Sequence, residues 1–347
     1  MTPTKINTSL KKQTNIFWNK SLFIDSFLTI VIIFIMLIIV KSPKRYSEGT
    51  ISGLKLFFNS VLPGLFPFML LTKLLTELGI AFKVSSKLGK ISNKVFGTPG
   101  VSFFAFFMSI ISGYPIGAKI ISDLYEKHLI SSSDAKKMSV FCTTSGPIFI
   151  IGAVGTIMLN SYKAGIVLYL SHIFSSIFLG FFYNLLTRKK TSTQTITTNR
   201  TFLTNQKQDN LLTYCLTQTI NNLFVVGAYI TTFFLITELL ENIGVISSLT
   251  FCINKILAIL HLPNTYTKGV LFGLLEITRG AKELSLISSN ASLVLISGLL
   301  SFSGLSIIFQ SMAFLKTTQI KMHEFVFFKF MHMLLSMIFC YIILIIA

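Results

Sequence analysis

The sequence predicts an all-α polytopic membrane protein built from two inverted repeats, each with a re-entrant hairpin and a broken transmembrane helix. Three observations lead there. The 347 residues are 52% hydrophobic and only 12% charged, half the ~25% charge of a typical soluble domain, and no soluble core of this length hides so much apolar surface. Several apolar runs are long enough to cross a hydrocarbon core of ~30 Å. The layout of runs, breaks and short motifs in the first half returns in the second. A net charge of +18 would suggest nucleic acid in a soluble protein. Here most basic residues lie in short segments between apolar runs, where they signal topology, so nucleic acid is set aside as a partner.

Residues 1–50 read as a basic tail (Lys5, Lys11, Lys12, Lys20), a first span over 22–40 and a polar loop over 41–54. Trp18 stands where an interfacial aromatic would. The 22–40 run is too long for a signal-peptide core and lacks a small-residue cleavage site. The first repeat, 51–187, opens with a span over 54–78, in which Pro63 and Pro67 imply a kink. In 82–96, Lys83, Lys87, Lys90 and Lys94 alternate with Val84, Leu88, Ile91 and Val95, the pattern of a basic helix lying on a membrane face. The apolar stretch 101–112 ends at Gly113-Tyr114-Pro115 and is too short to span, so 101–129 reads as a re-entrant hairpin. A span over 136–159 is broken at Thr144-Ser145-Gly146-Pro147, and 163–186 is a plainer span.

A polar, Thr-rich linker, 188–210, joins the second repeat, 211–347. There the order recurs: a span over 211–240, a shorter amphipathic piece over 246–260, and a hairpin over 268–289 centred on EITRGAK. A span over 291–315 interrupted at Ser303-Gly304 and a last span over 325–346 follow. The motifs also match in order: LLTELGI (74–80) with LLENIGV (239–245), GAK (117–119) with GAK (280–282), and Ser145-Gly146 with Ser303-Gly304. If each hairpin re-enters its own side, each half crosses the membrane an odd number of times, which inverts one half relative to the other. With the N-terminus in the cytoplasm, the tail, 80–98, 127–137, 188–210 and 316–321 are inside and hold most of the basic residues. Lys41, Lys44 and Arg45 conflict with this and are left outside.

Inverted repeats with paired breaks are the architecture of secondary transporters. A break within the membrane exposes helix N-termini, whose N–H groups attract anions. The candidate substrate site is therefore where the breaks converge: Ser112, Gly113, Tyr114, Pro115, Gly117 and Lys119; Thr143, Thr144, Ser145 and Gly146; Glu276, Thr278, Arg279, Gly280 and Lys282; and Ser303 and Gly304. Lys119, Arg279 and Lys282 are ionisable groups near the centres of membrane elements and so functional candidates. If Lys119 and Lys282 point inward, the site favours an anion, above all a carboxylate. Glu276 is spaced to pair with Arg279, and Glu283 to neutralise Lys282. Lys73 and Lys329 lie nearer span ends and read as snorkelling side chains. His172 and His332 fall within spans and read first as hydrogen-bonded structural histidines, with proton relay as the alternative. Cys142, Cys215, Cys252 and Cys340 show no CxxC spacing and read as small buried hydrophobes. No nucleophile–base pair, phosphate loop or metal-ligand cluster stands out. No enzyme activity, cofactor or metal is expected, nor an ATPase of the chain's own.

LPGLFPF (62–68), SGYPIGAK (112–119), CTTSGPIFIIGAVG (142–155) and EITRGAK (276–282) resemble the YlbJ-type, or SpoVV, sporulation integral membrane proteins, which carry the nucleoside-recognition Gate domain. The resemblance covers about residues 50–345. It implies an architecture similar to concentrative nucleoside transporters. It also implies movement of dipicolinic acid, a planar dicarboxylate, across the outer forespore membrane of a spore-forming firmicute. Gly113, Tyr114, Pro115, Lys119, Ser145, Gly146, Glu276 and Arg279 fall on the family motifs, and Ile116 fills a variable place. The expected partners are this small anion, the lipid bilayer, and further copies of the chain or other sporulation membrane proteins. Two rival readings stand beside it: a nucleoside or nucleobase carrier in which Glu276 binds ribose or base, and a non-transporting scaffold for spore maturation.

Overall fold

The computed structural model describes residues 25–187 and 210–346. The basic tail, Trp18 and nearly all of the linker lie outside the described residues. Within them the chain is helical, with no strand.

Helix α1 (Asp25–Lys41) meets the following helix at 101° and is exposed along most of its length, as a helix surrounded by lipid would be. The segment expected as a loop is instead helix α2 (Pro43–Leu56), with Pro43 in its first turn, where a missing N–H costs no hydrogen bond. Its polar residues find partners on α9 (Leu211–Asn242). Arg45 pairs with Glu238 (3.1 Å) and Glu241 (3.5 Å), and Asn242 donates to the Tyr46 hydroxyl (2.7 Å). The backbones are close, since a Cβ on Gly53 would lie 2.8 Å from Thr231 Cα. Through a π-helical turn, Phe57–Val61, α2 runs into α3 (Leu62–Glu77), so the disturbance expected from Pro63 falls just before it.

Gly79, in the left-handed region (φ 72°), turns the chain into α4 (Ile80–Phe96), which stands at 83° to α5. Its four lysines are exposed, while Ala81, Ser92 and Phe96 are buried, the amphipathic split read from the sequence. Helices α5 (Val101–Ser112) and α6 (Ile116–Glu126) form the first hairpin. Helix α7 (Ser132–Phe141) begins with a Ser131–Asp134 capping box. The chain then unwinds over 142–146 and resumes as a π-helical segment, Ile148–Met158. Helix α8 (Tyr162–Thr187) follows.

After α9, Gly244 (φ 77°) turns the chain into α10 (Val245–Ile259), as Gly79 does before α4. Helices α11 (Thr267–Leu275) and α12 (Ile277–Ser285) form the second hairpin. Helices α13 (Asn290–Phe302) and α14 (Gly304–Leu315) are one run broken at Ser303, and α15 (Met322–Ile346) ends the described chain. The order long helix, amphipathic helix, hairpin, broken helix, long helix therefore occurs twice.

Helices α8, α9 and α15 and the run from Asn290 to Thr318 are each long and apolar enough to cross a membrane; counting the bent pairs α1–α2 and α4–α5 gives up to six spans. Phe174, Phe182, Phe224, Phe330 and Tyr341 are exposed on their outer faces, an arrangement suited to hydrocarbon rather than water. Inside, α15 packs on both α8 and α13. The second arm of each hairpin packs against the later part of the other half's broken helix, α6 on α14 and α12 on Ile148–Met158. Cys142, Cys215 and Cys340 are buried, Cys252 is exposed, and all four are free thiols.

Candidate functional site

Each hairpin tip lies directly against the break of its own half. In the first, a Cβ on Gly113 would fall 2.5 Å from the Gly146 nitrogen, and Gly113 sits at φ 79°. In the second, a Cβ on Gly304 would fall 3.0 Å from the Gly273 oxygen and 3.2 Å from the Ile277 nitrogen. Ser303 is left-handed (φ 74°). Backbone packs on backbone at both places, which is why small residues occupy them. Ser109 ties the first tip to its break: its hydroxyl accepts from the Thr144 N–H (3.0 Å) and bonds the Thr144 hydroxyl (2.9 Å).

Between the breaks is a buried polar centre. Lys329 of α15, 2% exposed, donates to the Tyr114 hydroxyl (2.9 Å) and to the Thr143 carbonyl. Its ammonium also lies 4.3 Å from the centre of the Tyr114 ring. Ser303 faces the same tyrosine from the other break. Among the described residues no carboxylate lies within ion-pair distance of Lys329.

Two histidines complete the centre. The Ser145 N–H donates to His172 Nε2 (2.8 Å), so that nitrogen keeps its lone pair. Neutral His172 then carries its proton on Nδ1 and donates it to Ser301 Oγ (2.8 Å). His332 Nε2 donates to the His172 carbonyl (3.0 Å), and the ring centres are 4.7 Å apart. Counted from the starts of α8 and α15, the two histidines hold the same position.

Helix α6, the π-helical segment from Ile148, and α14 all begin here without a side-chain cap. Helix α12 differs: Glu276 caps it, accepting from the N–H groups of Thr278 (3.1 Å) and Arg279 (2.8 Å). A buried lysine amine without a carboxylate partner among the described residues, beside three uncapped helix N-termini, is suited to receive a negative charge.

The chain is 28% identical over 313 residues, 84% of its own length and 76% of the relative's, to the sporulation integral membrane protein YlbJ of Bacillus subtilis (strain 168). The chain is similar to this protein over most of both lengths. The likeness supports an integral membrane protein in a sporulation setting. No family model matches it, and no solved structure does.

The predicted site residues divide. Ser112, Gly113, Tyr114, Pro115, Thr144, Ser145, Gly146, Ser303 and Gly304 lie at the first tip and the two breaks. Gly117 packs against the Cys142 carbonyl, and Gly280 against Gly273. Glu276 and Thr278 form the second tip. The expected cations do not point to the centre. Lys119 pairs with Asp123 (2.9 Å) within a chain of charges that continues through Lys73 (3.1 Å), Glu77 (3.0 Å) and Lys127 (2.9 Å). Lys282 is exposed, and Glu283 pairs with Lys268 (3.4 Å) instead. Arg279 reaches Glu238 (3.3 Å) and Glu241 (3.5 Å) on α9 and stacks on Phe272 at 4.0 Å. It does not pair with the Glu276 side chain, whose oxygens are taken by backbone. Nor does Lys73 snorkel.

The residue that sequence reasoning missed is Lys329. A lysine inside EFVFFKFMHMLL was the available signal, but its nearness to the start of the run favoured snorkelling. Two apolar grooves of about 480 Å³ lie elsewhere, one beside Leu260, Met337 and Tyr341, the other beside Phe57, Phe66 and Phe224. Neither is lined by a charged side chain, so neither competes as the anion site.

The arginine has its own expected result. Arg279→Ala leaves Glu238 and Glu241 with only Arg45, and should lower the stability of the purified protein by about 1 kcal/mol, given the partial exposure of these groups. Adding Glu238→Gln should recover part of that loss in thermal unfolding. An equal loss in both backgrounds would deny the coupling.

Proposed function

We propose that this protein is a solute carrier for a small dicarboxylate, dipicolinate, acting at the outer forespore membrane. The observation that carries the reading is Lys329: a buried ammonium with no carboxylate partner among the described residues, beside three uncapped helix N-termini. Burying such a charge costs several kcal/mol, a cost that an incoming carboxylate would offset. The twofold recurrence of the elements supports two inverted repeats, the design by which secondary carriers expose one central site to alternate sides. The kinship to a sporulation membrane protein supports the setting. In a nucleoside carrier reading Glu276 would accept from ribose, and its two oxygens each already accept one backbone N–H, from Thr278 and Arg279, which ties this carboxylate to capping α12.

The test is uptake of labelled dipicolinate and labelled uridine by the purified protein in proteoliposomes. Dipicolinate uptake that unlabelled dipicolinate inhibits and uridine does not is the expected result. Uptake of uridine alone would replace the reading with the nucleoside one, and uptake of neither would return the scaffold.

A further inference from the structure

We infer that the carrier moves a proton with its anion, and that His172 is the proton-binding group that releases the broken helix at Ser145. The inference rests on the anion reading for its role in transport, but its structural core does not.

The His172 side chain is 0% exposed. Both ring nitrogens are engaged: Nε2 accepts from the Ser145 N–H and Nδ1 bonds Ser301 Oγ. A backbone N–H can only donate, so this arrangement exists only while His172 is neutral. A proton arriving on Nε2 takes the lone pair that holds Ser145. The imidazolium has two N–H groups and no acceptor site left, and Ser145 N–H and Nε2–H then face each other. The contact turns from a bond into a repulsion, and the segment 142–146, already non-helical, loses one of its anchors. Ser145 is where the tip of the first hairpin meets the break, so release there loosens the element that closes the centre on that side.

The surroundings decide when this can happen. Around His172 stand Lys329 and His332 of α15, Tyr114 of the first tip, Ser145 of the break and Ser301 of α13. None is an acid. With Lys329 charged and nothing bound, a second positive charge in this buried space is opposed by the first. A dicarboxylate brings two negative charges, one for Lys329 and one for protonated His172. Anion and proton thus make each other's binding favourable, which is the thermodynamic definition of coupling. His332 acts as a positioning residue: its Nε2–H bond to the His172 carbonyl survives whether or not His172 is protonated.

The bonding part is tested without any substrate, by hydrogen exchange of the peptide covering 142–150 in the full-length protein at about pH 8 and pH 5. Rates are corrected for intrinsic pH dependence and compared with His172→Gln, whose amide oxygen can accept from Ser145 and cannot be protonated in this range. Dipicolinate is added in a second arm. The expected result is corrected exchange at least about tenfold faster at the lower pH in the parent, greater with dipicolinate, and no acceleration in His172→Gln. Should His172→Gln fail to fold, the parent's corrected rates alone decide. Corrected exchange indifferent to pH in the parent, or an equal response in both proteins, overturns the inference. Dipicolinate uptake into proteoliposomes driven by an imposed proton gradient tests the coupling. Uptake indifferent to the gradient would overturn the coupling while leaving the anion reading intact. An absence of dipicolinate uptake together with a His172-dependent exchange response would instead refute the anion reading and retain the proton site.

Discussion

Lys329→Met is expected to abolish dipicolinate uptake while leaving the protein folded and at least as thermostable as the parent. The two halves of this result come from one fact: the ammonium is buried without a counter-ion among the described residues. Removing it leaves the Tyr114 hydroxyl and the Thr143 carbonyl without this donor, a loss of about 1–3 kcal/mol. Against this stands the desolvation of an uncompensated ammonium, several kcal/mol, which disappears with the charge. Methionine is close in length to lysine and flexible enough to fill the space. The folded state therefore does not suffer, while an anion entering the centre loses its charged partner, and uptake should fall by about 100-fold or more, as for loss of a charge-assisted hydrogen bond in a dry site. Thermal unfolding and proteoliposome flux check the two halves separately. A variant that unfolds readily would make Lys329 structural; one that transports normally would move the site elsewhere.

Gly113→Ala should act in the opposite way, lowering stability and function together. Gly113 combines φ 79° with ψ −169°, a region that only glycine occupies readily, at about 1–3 kcal/mol for another residue. The added Cβ would also fall 2.5 Å from the Gly146 nitrogen and 3.1 Å from its Cα, both backbone atoms that no rotamer change can move aside. The hairpin tip and the break would have to separate. Expected is a steep loss of accumulated protein in the membrane and a lowered unfolding temperature. The control is Gly64→Ala, where nothing lies within 4 Å of the new Cβ. Similar behaviour of the two variants would contradict the close packing of tip and break.

These two positions also show what the sequence could and could not tell. Gly113, Gly146, Ser303 and Gly304 were legible because a membrane helix has to end or unwind where glycine, proline and hydroxyl residues cluster, whatever surrounds it. Gly79 and Gly244 were legible through the motif they share. The charges were not legible in the same way. Lys119 and Lys282 stand at matching places in the two GAK motifs, yet one is paired with Asp123 and the other is exposed. Lys329 reads as a snorkelling side chain because it is near the start of a span, but its environment is set by Tyr114 and Thr143, which are remote in sequence. Residues 41–54 read as a loop because their polarity is compensated by α9, through Arg45 with Glu238 and Tyr46 with Asn242. Local pattern fixes where a membrane chain bends. Partners far along the chain decide which charges are neutralised.

The most direct test of the central claim, that Lys329 and its surroundings form an anion site, is calorimetric titration of the purified protein with dipicolinate and with its dimethyl ester, which keeps the ring and removes both charges. Expected are saturable binding of the diacid, no binding of the diester, and loss of diacid binding in Lys329→Met. Equal binding of diacid and diester, or undiminished binding by Lys329→Met, would contradict it.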